Sequence, residues 1–403
     1  LTAMSHAPSH ERAVTAAHGH LPAVDGLRAI GALMVLLTHA AAIAGVVDGF
    51  LDRLAVGVPL FFAVSGFLLY RPWVAAAVGG RRLPGLGAYY WHRFLRVVPA
   101  YWVLVVASVV FFYPELPSET GRFMRIVLLQ HIFVVGDMPY EQVELIGTLT
   151  PTWSVATEMH FYVLLPLLGY GLHRVLTARR GLLIACSLLV CLEAATAVWW
   201  TDVLATPFLE QTRWWWVFGY LRYFAVGMVL AALAARMQQR GELPAAVRRA
   251  LRWPWAWWVV ALAAHALGAS LHLETLSLPS QYCDLIVVMG LLTPVVLASG
   301  RGPERMLRLP LPGWLGRISY GIFLWHMFVL LGTVELVGEH LGAPGPLRLL
   351  TLLAIVLPAS ILLGWLSFAL IEKPLRRLRM RPIPAPRGDT PVPSDPRGAK
   401  NPV

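Results

Sequence analysis

The chain has 403 residues, of which 57% are apolar and only 14% charged, with a mean hydropathy of +0.63. Soluble globular chains carry about 45–50% apolar and about 25% charged residues, and a water-soluble fold of this size cannot cover so much apolar surface. The composition excludes an ordinary soluble enzyme, a disordered protein and a collagen-like fibre, and the net charge of +11 has to be explained by where the charges sit.

Taken in chain order, residues 1–23 form an Ala- and His-rich segment with a single Arg, without the pattern of a cleaved signal peptide. Ten apolar runs then follow, at 27–47, 54–72, 97–113, 153–172, 182–201, 214–235, 255–271, 283–299, 314–334 and 347–371. Each is long enough to cross a bilayer at 1.5 Å rise per residue. A shorter run, 123–136, is read as a re-entrant or surface helix on the outer side. If it crossed, the acidic stretch 137–152 would become cytoplasmic and every later loop would invert. Residues 24–381 are therefore expected to form one all-α polytopic membrane domain of about ten transmembrane helices. The Pro-, Gly- and Asp-rich residues 382–403 read as a disordered cytoplasmic tail.

Charge sets the expected orientation. Arg71, Arg93, Arg96, Arg236, Arg240, Arg248, Arg249, Arg252, Arg301, Arg305, Arg308 and the basic residues from Lys373 onward all fall on the side shared by both termini. By the positive-inside rule that side is cytoplasmic. Asp48, Asp52, Glu115, Glu119, Asp137, Glu141 and Glu144 fall on the other side. This asymmetry accounts for the basic balance without any nucleic acid. Trp199, Trp200 and Trp214–Trp216 at one end, and Trp253, Trp255, Trp257 and Trp258 at the other, read as interfacial belts. Cys186, Cys191 and Cys283 lie in apolar stretches with no metal-ligand or disulfide pattern.

Ionisable groups inside a bilayer are costly and mark candidate sites. Arg28 and His39 are eleven residues apart in the first span, on nearly one face and roughly 16 Å apart along it. Glu158 enters its span from the outer side, with Ser154 one turn above it. His326 rises from the inner side to a similar depth. A histidine beside a carboxylate suits general-base chemistry, so Glu158 is expected to orient His39. At the inner mouth, Arg93 and Arg96 together with Arg28 form a candidate phosphate clamp, since guanidinium binds phosphate in two-pronged fashion. Glu193, Arg222, His265 and Asp284 also lie in or near spans, and nothing in their spacing goes beyond packing or a polar cavity.

Six stretches, in order, resemble the acyltransferase-3 family of integral membrane O-acyltransferases. They are Val24-Asp25-Gly26-Leu27-Arg28 through His39; Gly57-Val58-Pro59-Leu60-Phe61-Phe62 through Ser65-Gly66-Phe67; Arg93 and Arg96 followed by Pro99; Thr152-Trp153-Ser154 through Glu158; Ser319-Tyr320-Gly321 through Trp325-His326; and Ile371-Glu372-Lys373-Pro374. The resemblance implies acyl transfer from cytoplasmic acyl-CoA to a hydroxyl, often on an extracytoplasmic glycan. It maps the family's Arg–x10–His pair onto Arg28 and His39, its Arg-x-x-Arg onto Arg93 and Arg96, and its carboxylate onto Glu158. Ser65, Ser154 and His326 are additional candidate site polar residues.

One departure is His160, which offers a second possible partner for His39. The fused outer domain of some family members has no counterpart in these residues. The expected donor is acyl-CoA, with no metal. The expected acceptor is a cell-envelope glycan or glycolipid, or alternatively a secondary metabolite such as a macrolide. The expected location is the cytoplasmic membrane of a bacterium, in contact with membrane lipid. A transporter or flippase is the rival from a different class, since intramembrane His, Glu and Arg also suit coupled transport.

Overall fold

A computed structural model of the chain describes residues 21–46, 49–79, 83–133, 147–177, 187, 191–201, 216–240, 245–273, 277–298 and 300–379. Among these residues the fold is helical throughout. Nine long helices form the body: α1 (Pro22–Ala44), α2 (Gly57–Gly79), α3 (Leu86–Phe111), α4 (Thr152–Thr177), α5 (Val217–Arg240), α6 (Pro254–Ser270), α7 (Leu278–Leu297), α8 (Pro310–Val337) and α9 (Pro346–Ser367). Residues 191–201 are also helical. Several helices carry Pro in their first turn, where the missing N–H costs nothing. α1 stops at Gly45, whose φ of 72° lets its N–H turn back to the Ala41 and Ala42 carbonyls.

Seven helical stretches among the described residues are long and apolar enough to cross a membrane: Pro22–Ala44, Gly49–Ala77, Leu86–Phe111, Val217–Gln238, Leu278–Leu297, Pro310–His340 and Pro346–Leu378. They coincide with seven of the ten expected spans. The expected spans at 153–172 and 255–271 lie on α4 and α6, which are not among those seven. Residues 182–186 and 188–190 of the span expected at 182–201 lie outside the described residues, as do most of the N-terminal segment, residues 137–146 of the acidic stretch and the tail 382–403.

Two boundaries differ from expectation for a physical reason. α3 begins at Leu86, not at 97, because the helix runs straight through His92, Arg93 and Arg96. Its charges therefore sit on helical turns rather than at a loop mouth. The short run at 123–136 becomes a helix, Thr120–Val127, and a 3-10 turn, His131–Phe133. The chain doubles back beside α3. Tyr101 donates to the Ile126 carbonyl (2.6 Å) and Trp102 to that of Val127 (3.0 Å). Both donors lie about ten residues from the end of α3, roughly 15 Å along it.

The centre of the bundle is α2. It meets α5 across two glycines. A Cβ at Gly66 would overlap the Phe224 carbonyl, and one at Gly227 would overlap that of Ala63. Small residues at such a crossing let backbones approach and gain packing that apolar burial cannot supply in lipid. Phe224 then stacks between Phe62 of α2 (4.8 Å) and Phe161 of α4 (3.8 Å), which ties three helices together. α8 packs against α1 and α9. The functional side chains collect where α1, α2, α3, α4 and α8 converge.

Candidate active site

Residues from those five helices line one cavity of about 150 Å³. Arg28 enters from α1, Arg93 and Arg96 from α3, Ser154 and Glu158 from α4, and Ser65 from α2. Six of the eight site residues expected from the sequence therefore share one space. Three guanidinium groups and one carboxylate line the cavity. Glu158 accepts a short hydrogen bond from Ser65. Arg28 lies 3.8 Å from Asp25, one turn earlier on its own helix. The Arg93 guanidinium packs over the Tyr162 ring at 5.9 Å, and its Nε is buried without a hydrogen-bond partner. Ser154 is committed locally, donating to the Pro151 carbonyl (3.0 Å) at the start of α4.

The other two expected residues form a second centre. His39 Nδ1 lies 2.8 Å from the Val35 carbonyl, four residues earlier on α1. It also lies 3.4 Å from His326 Nε2. The rings are 5.1 Å apart at 52°. His326 is fully buried, and its Nδ1 is bonded to the Phe323 carbonyl. A carbonyl only accepts, so each Nδ1 must carry a proton. The neutral His39 ring therefore bears its free lone pair on Nε2, the atom a general base uses. His326 Nε2 in turn is free to accept from His39 Nδ1–H.

This arrangement corrects one expectation. Glu158 does not orient His39; its bonded partner is Ser65, and the partner of His39 is His326. His160 does not compete either. Its Nδ1 bonds the Ala156 carbonyl at 2.6 Å and its ring packs edge-on to Phe133. Depth along a helix was readable from the sequence, but the facing direction of each side chain depends on helix rotation, which depth leaves open.

Phe323, with Phe61 against it, links the two centres. Both line the arginine cavity. Their rings meet edge to face at 5.7 Å, and Phe323 is also 5.7 Å from the His326 ring. Phe61, Phe323, Tyr162 and Tyr320 also line this cavity and are not among the site residues expected from the sequence. Tyr162 follows Glu158 by one helical turn, and Phe323 precedes His326 by three residues. That spacing was the available signal. Tyr320 fixes α8 to α3 by donating to the Val97 carbonyl at 2.9 Å.

The remaining intramembrane charges pair among themselves. Glu193 lies 3.2 Å from Arg222. Asp284 lies 2.8 Å from Arg53, which also donates to Ser280 Oγ at 2.6 Å. Arg53 reads in the sequence as an ordinary outer-side charge. The structure buries it, because a carboxylate set in the apolar α7 requires a countercharge. His265 binds the Phe50 carbonyl at 2.9 Å.

Comparison with known proteins places the chain among acyltransferases. The family profile described as acyltransferase domain matches residues 21–366. The acyltransferase MdmB of Streptomyces mycarofaciens is 26% identical over 90% of this chain and 94% of its own length. The exopolysaccharide production protein ExoZ of Rhizobium meliloti is 28% identical over 82% of this chain and 92% of its own. The peptidoglycan O-acetyltransferase OatA of Listeria monocytogenes is 25% identical over 89% of this chain, which spans 56% of that longer protein. No solved structure matches the chain. The chain is a multi-helical membrane acyltransferase and belongs to the acyltransferase-3 family.

Proposed function

We propose that this enzyme moves a short acyl group, acetyl in the simplest case, from acyl-CoA to a hydroxyl of a cell-envelope glycan or glycolipid. The observation that carries this reading is the pair of centres. Arg28, Arg93 and Arg96 offer three guanidiniums to the phosphates of the donor. Beyond Phe61 and Phe323, His39 offers a basic Nε2. The acceptor class draws support from relatives named for peptidoglycan O-acetylation and exopolysaccharide production.

In the proposed step, His39 Nε2 takes the acceptor hydroxyl proton as its oxygen bonds to the thioester carbonyl carbon. The carbon–sulfur bond breaks, and the departing thiolate takes the proton from the imidazolium. While His39 is charged, its Nδ1–H is held by the Val35 carbonyl and by His326 Nε2, so charge is shared without moving either ring. General-base help contributes about 10²–10⁴ in rate, and holding the two substrates together can contribute more. On this reading the thioester end reaches His39 past Phe61 and Phe323, which line the arginine cavity.

The proposal includes the membrane arrangement: about ten spans in the bacterial cytoplasmic membrane, both chain ends cytoplasmic, the arginine cavity opening inward and the acceptor arriving from outside. A reporter fused after Val403 should score as cytoplasmic; a periplasmic score rejects that orientation.

The deciding experiment uses the purified full chain in proteoliposomes with labelled acetyl-CoA and envelope glycan fragments. Label should pass to the glycan, and mass spectrometry of envelope glycans should show O-acetyl groups in cells with the chain and not in cells without it. Failure to bind acetyl-CoA would sink the donor assignment. Binding without transfer to any glycan or glycolipid would sink the acceptor class.

A further inference from the structure

A second cavity, of about 680 Å³, lies outside the acyl-transfer site. Its walls are one face of α5, from Arg222 through Val229 to Leu233, and one face of α7, from Leu285 to Leu297. The eleven steps along α5 and twelve along α7, at 1.5 Å each, give it a length of roughly 16–18 Å. That is about half of a ~30 Å hydrocarbon core, the depth of one leaflet.

The two ends differ. One is stopped by the Glu193–Arg222 ion pair at 3.2 Å. Arg222 itself is buried, and its charge is further held over the Tyr282 ring at 5.6 Å. The other end opens beside the short helix Ala245–Ala250, whose Ala246, Val247 and Ala250 line the cavity. Arg249 on that helix and Arg252 just after it are exposed. Trp257 crosses the same end, its Nε1 bonded to the Ala250 carbonyl at 2.9 Å. Tryptophan prefers the headgroup level of a bilayer.

These features describe a slot with an apolar shaft one leaflet deep, a polar stop, and a basic mouth marked by an interfacial indole. We infer that it holds the hydrocarbon tail of an anionic phospholipid, with the phosphate headgroup on Arg249 and Arg252. Basic side chains at a membrane surface attract anionic lipid about severalfold each, so two of them give a headgroup preference that the apolar shaft alone cannot. The inference does not depend on the acyl-transfer chemistry, because the slot shares no residue with the arginine cavity.

The test is native mass spectrometry of the delipidated full chain in detergent, titrated with phosphatidylglycerol, phosphatidylcholine or a polyprenyl phosphate. One phosphatidylglycerol should be retained, about tenfold more tightly than phosphatidylcholine. Val229→Trp should fill the shaft and remove the retained lipid. Arg249→Gln with Arg252→Gln, at exposed positions that leave folding intact, should abolish the preference while a lipid of either kind still binds. Brominated-tail phosphatidylglycerol should quench the fluorescence lost in Trp257→Phe. Equal retention of the two phospholipids, or retention unaffected by Val229→Trp in a protein of unchanged melting temperature, overturns the inference. Tighter retention of the polyprenyl phosphate also overturns it, and would make the slot a site for a lipid-linked glycan carrier.

Discussion

His39 Nδ1 sits 3.4 Å from His326 Nε2, across the α1–α8 interface. Both rings are also tied at Nδ1 to backbone carbonyls of their own helices. The pair is thus oriented by main chain rather than by a carboxylate. Backbone is hard to remove by mutation, so the consequence is testable at the side chains. His39→Ala should lower transfer by about 10²–10⁴ while insertion and melting temperature stay near wild type. His326→Gln keeps an amide carbonyl able to accept from Nδ1–H. It should lower kcat by roughly tenfold with little change in the KM for acyl-CoA. Wild-type turnover in His39→Ala would end the general-base assignment.

Glu158 belongs to the arginine cavity, bonded to Ser65, and not to the imidazoles. Its charge offsets one of three guanidiniums. Glu158→Gln should therefore act on the donor, changing the KM for acyl-CoA by up to about tenfold, the scale of one close charge interaction. The acidic limb of the pH–rate profile, which reports His39, should stay in place. A shift of that limb with an unchanged KM would restore the carboxylate–imidazole pairing expected from the sequence. Ser65→Ala separates the two roles of Glu158, because it removes the hydrogen bond and keeps the charge.

The clamp itself is checked by salt and geometry. Arg28→Ala, Arg93→Ala and Arg96→Ala should each weaken acyl-CoA binding by roughly tenfold or more, with smaller effects on the bound-state rate. Arg93→Lys should recover only part of the loss. Lysine carries the charge but neither the planar fork nor the stacking over Tyr162. Isothermal titration with acetyl-CoA and with dephosphorylated CoA measures this directly. Equal affinity for the two ligands in the wild type and in all four variants would show that these arginines do not hold phosphate.

Phe61 and Phe323 touch both the cavity and the neighbourhood of His326. Truncating Phe323 to Ala opens the passage. Turnover of longer acyl-CoA donors should rise relative to acetyl-CoA, by a factor of about 10 or more for each methylene group newly accommodated at the upper end, since one methylene in an apolar pocket is worth about 1–3 kcal/mol. An unchanged chain-length profile would place the acyl path elsewhere.

Much of this was legible in the residues, and the limits follow from what a sequence encodes. Apolar runs and charge asymmetry locate helices, because lipid forces backbone polar groups to be satisfied within each segment. The same logic flagged Arg28, His39, Arg93, Arg96, Glu158 and His326. Counting along a helix gives depth but not rotation, so it does not tell that Glu158 faces Ser65 rather than His39. Arg93 and Arg96 interrupt the apolar run, so the run starts later than α3 itself, although the helix does not break there. Arg53 looked like a loop charge because its partner Asp284 lies 231 residues away. Phe323 is marked only by its place one turn before His326, and Phe61 carries no sequence mark that separates a cavity lining from ordinary packing.

The last prediction concerns the crossing of α2 and α5 at the centre of the bundle. Gly66 and Gly227 each face a carbonyl of the partner helix, and a Cβ at either position has no room. Both carbonyls are backbone, so relief requires the α2 and α5 axes to separate, which also withdraws Phe224 from between Phe62 and Phe161. Losing two aromatic contacts, at about 0.5–1.5 kcal/mol each, adds to the lost backbone packing. Gly227→Ala should therefore lower the melting temperature in detergent and reduce transfer even though it touches no residue of the cavity. Gly85→Ala is the control, because nothing lies within reach of a Cβ there. If Gly227→Ala melts like wild type, the close approach of α2 and α5 is not what sets the spacing of Ser65 and Glu158.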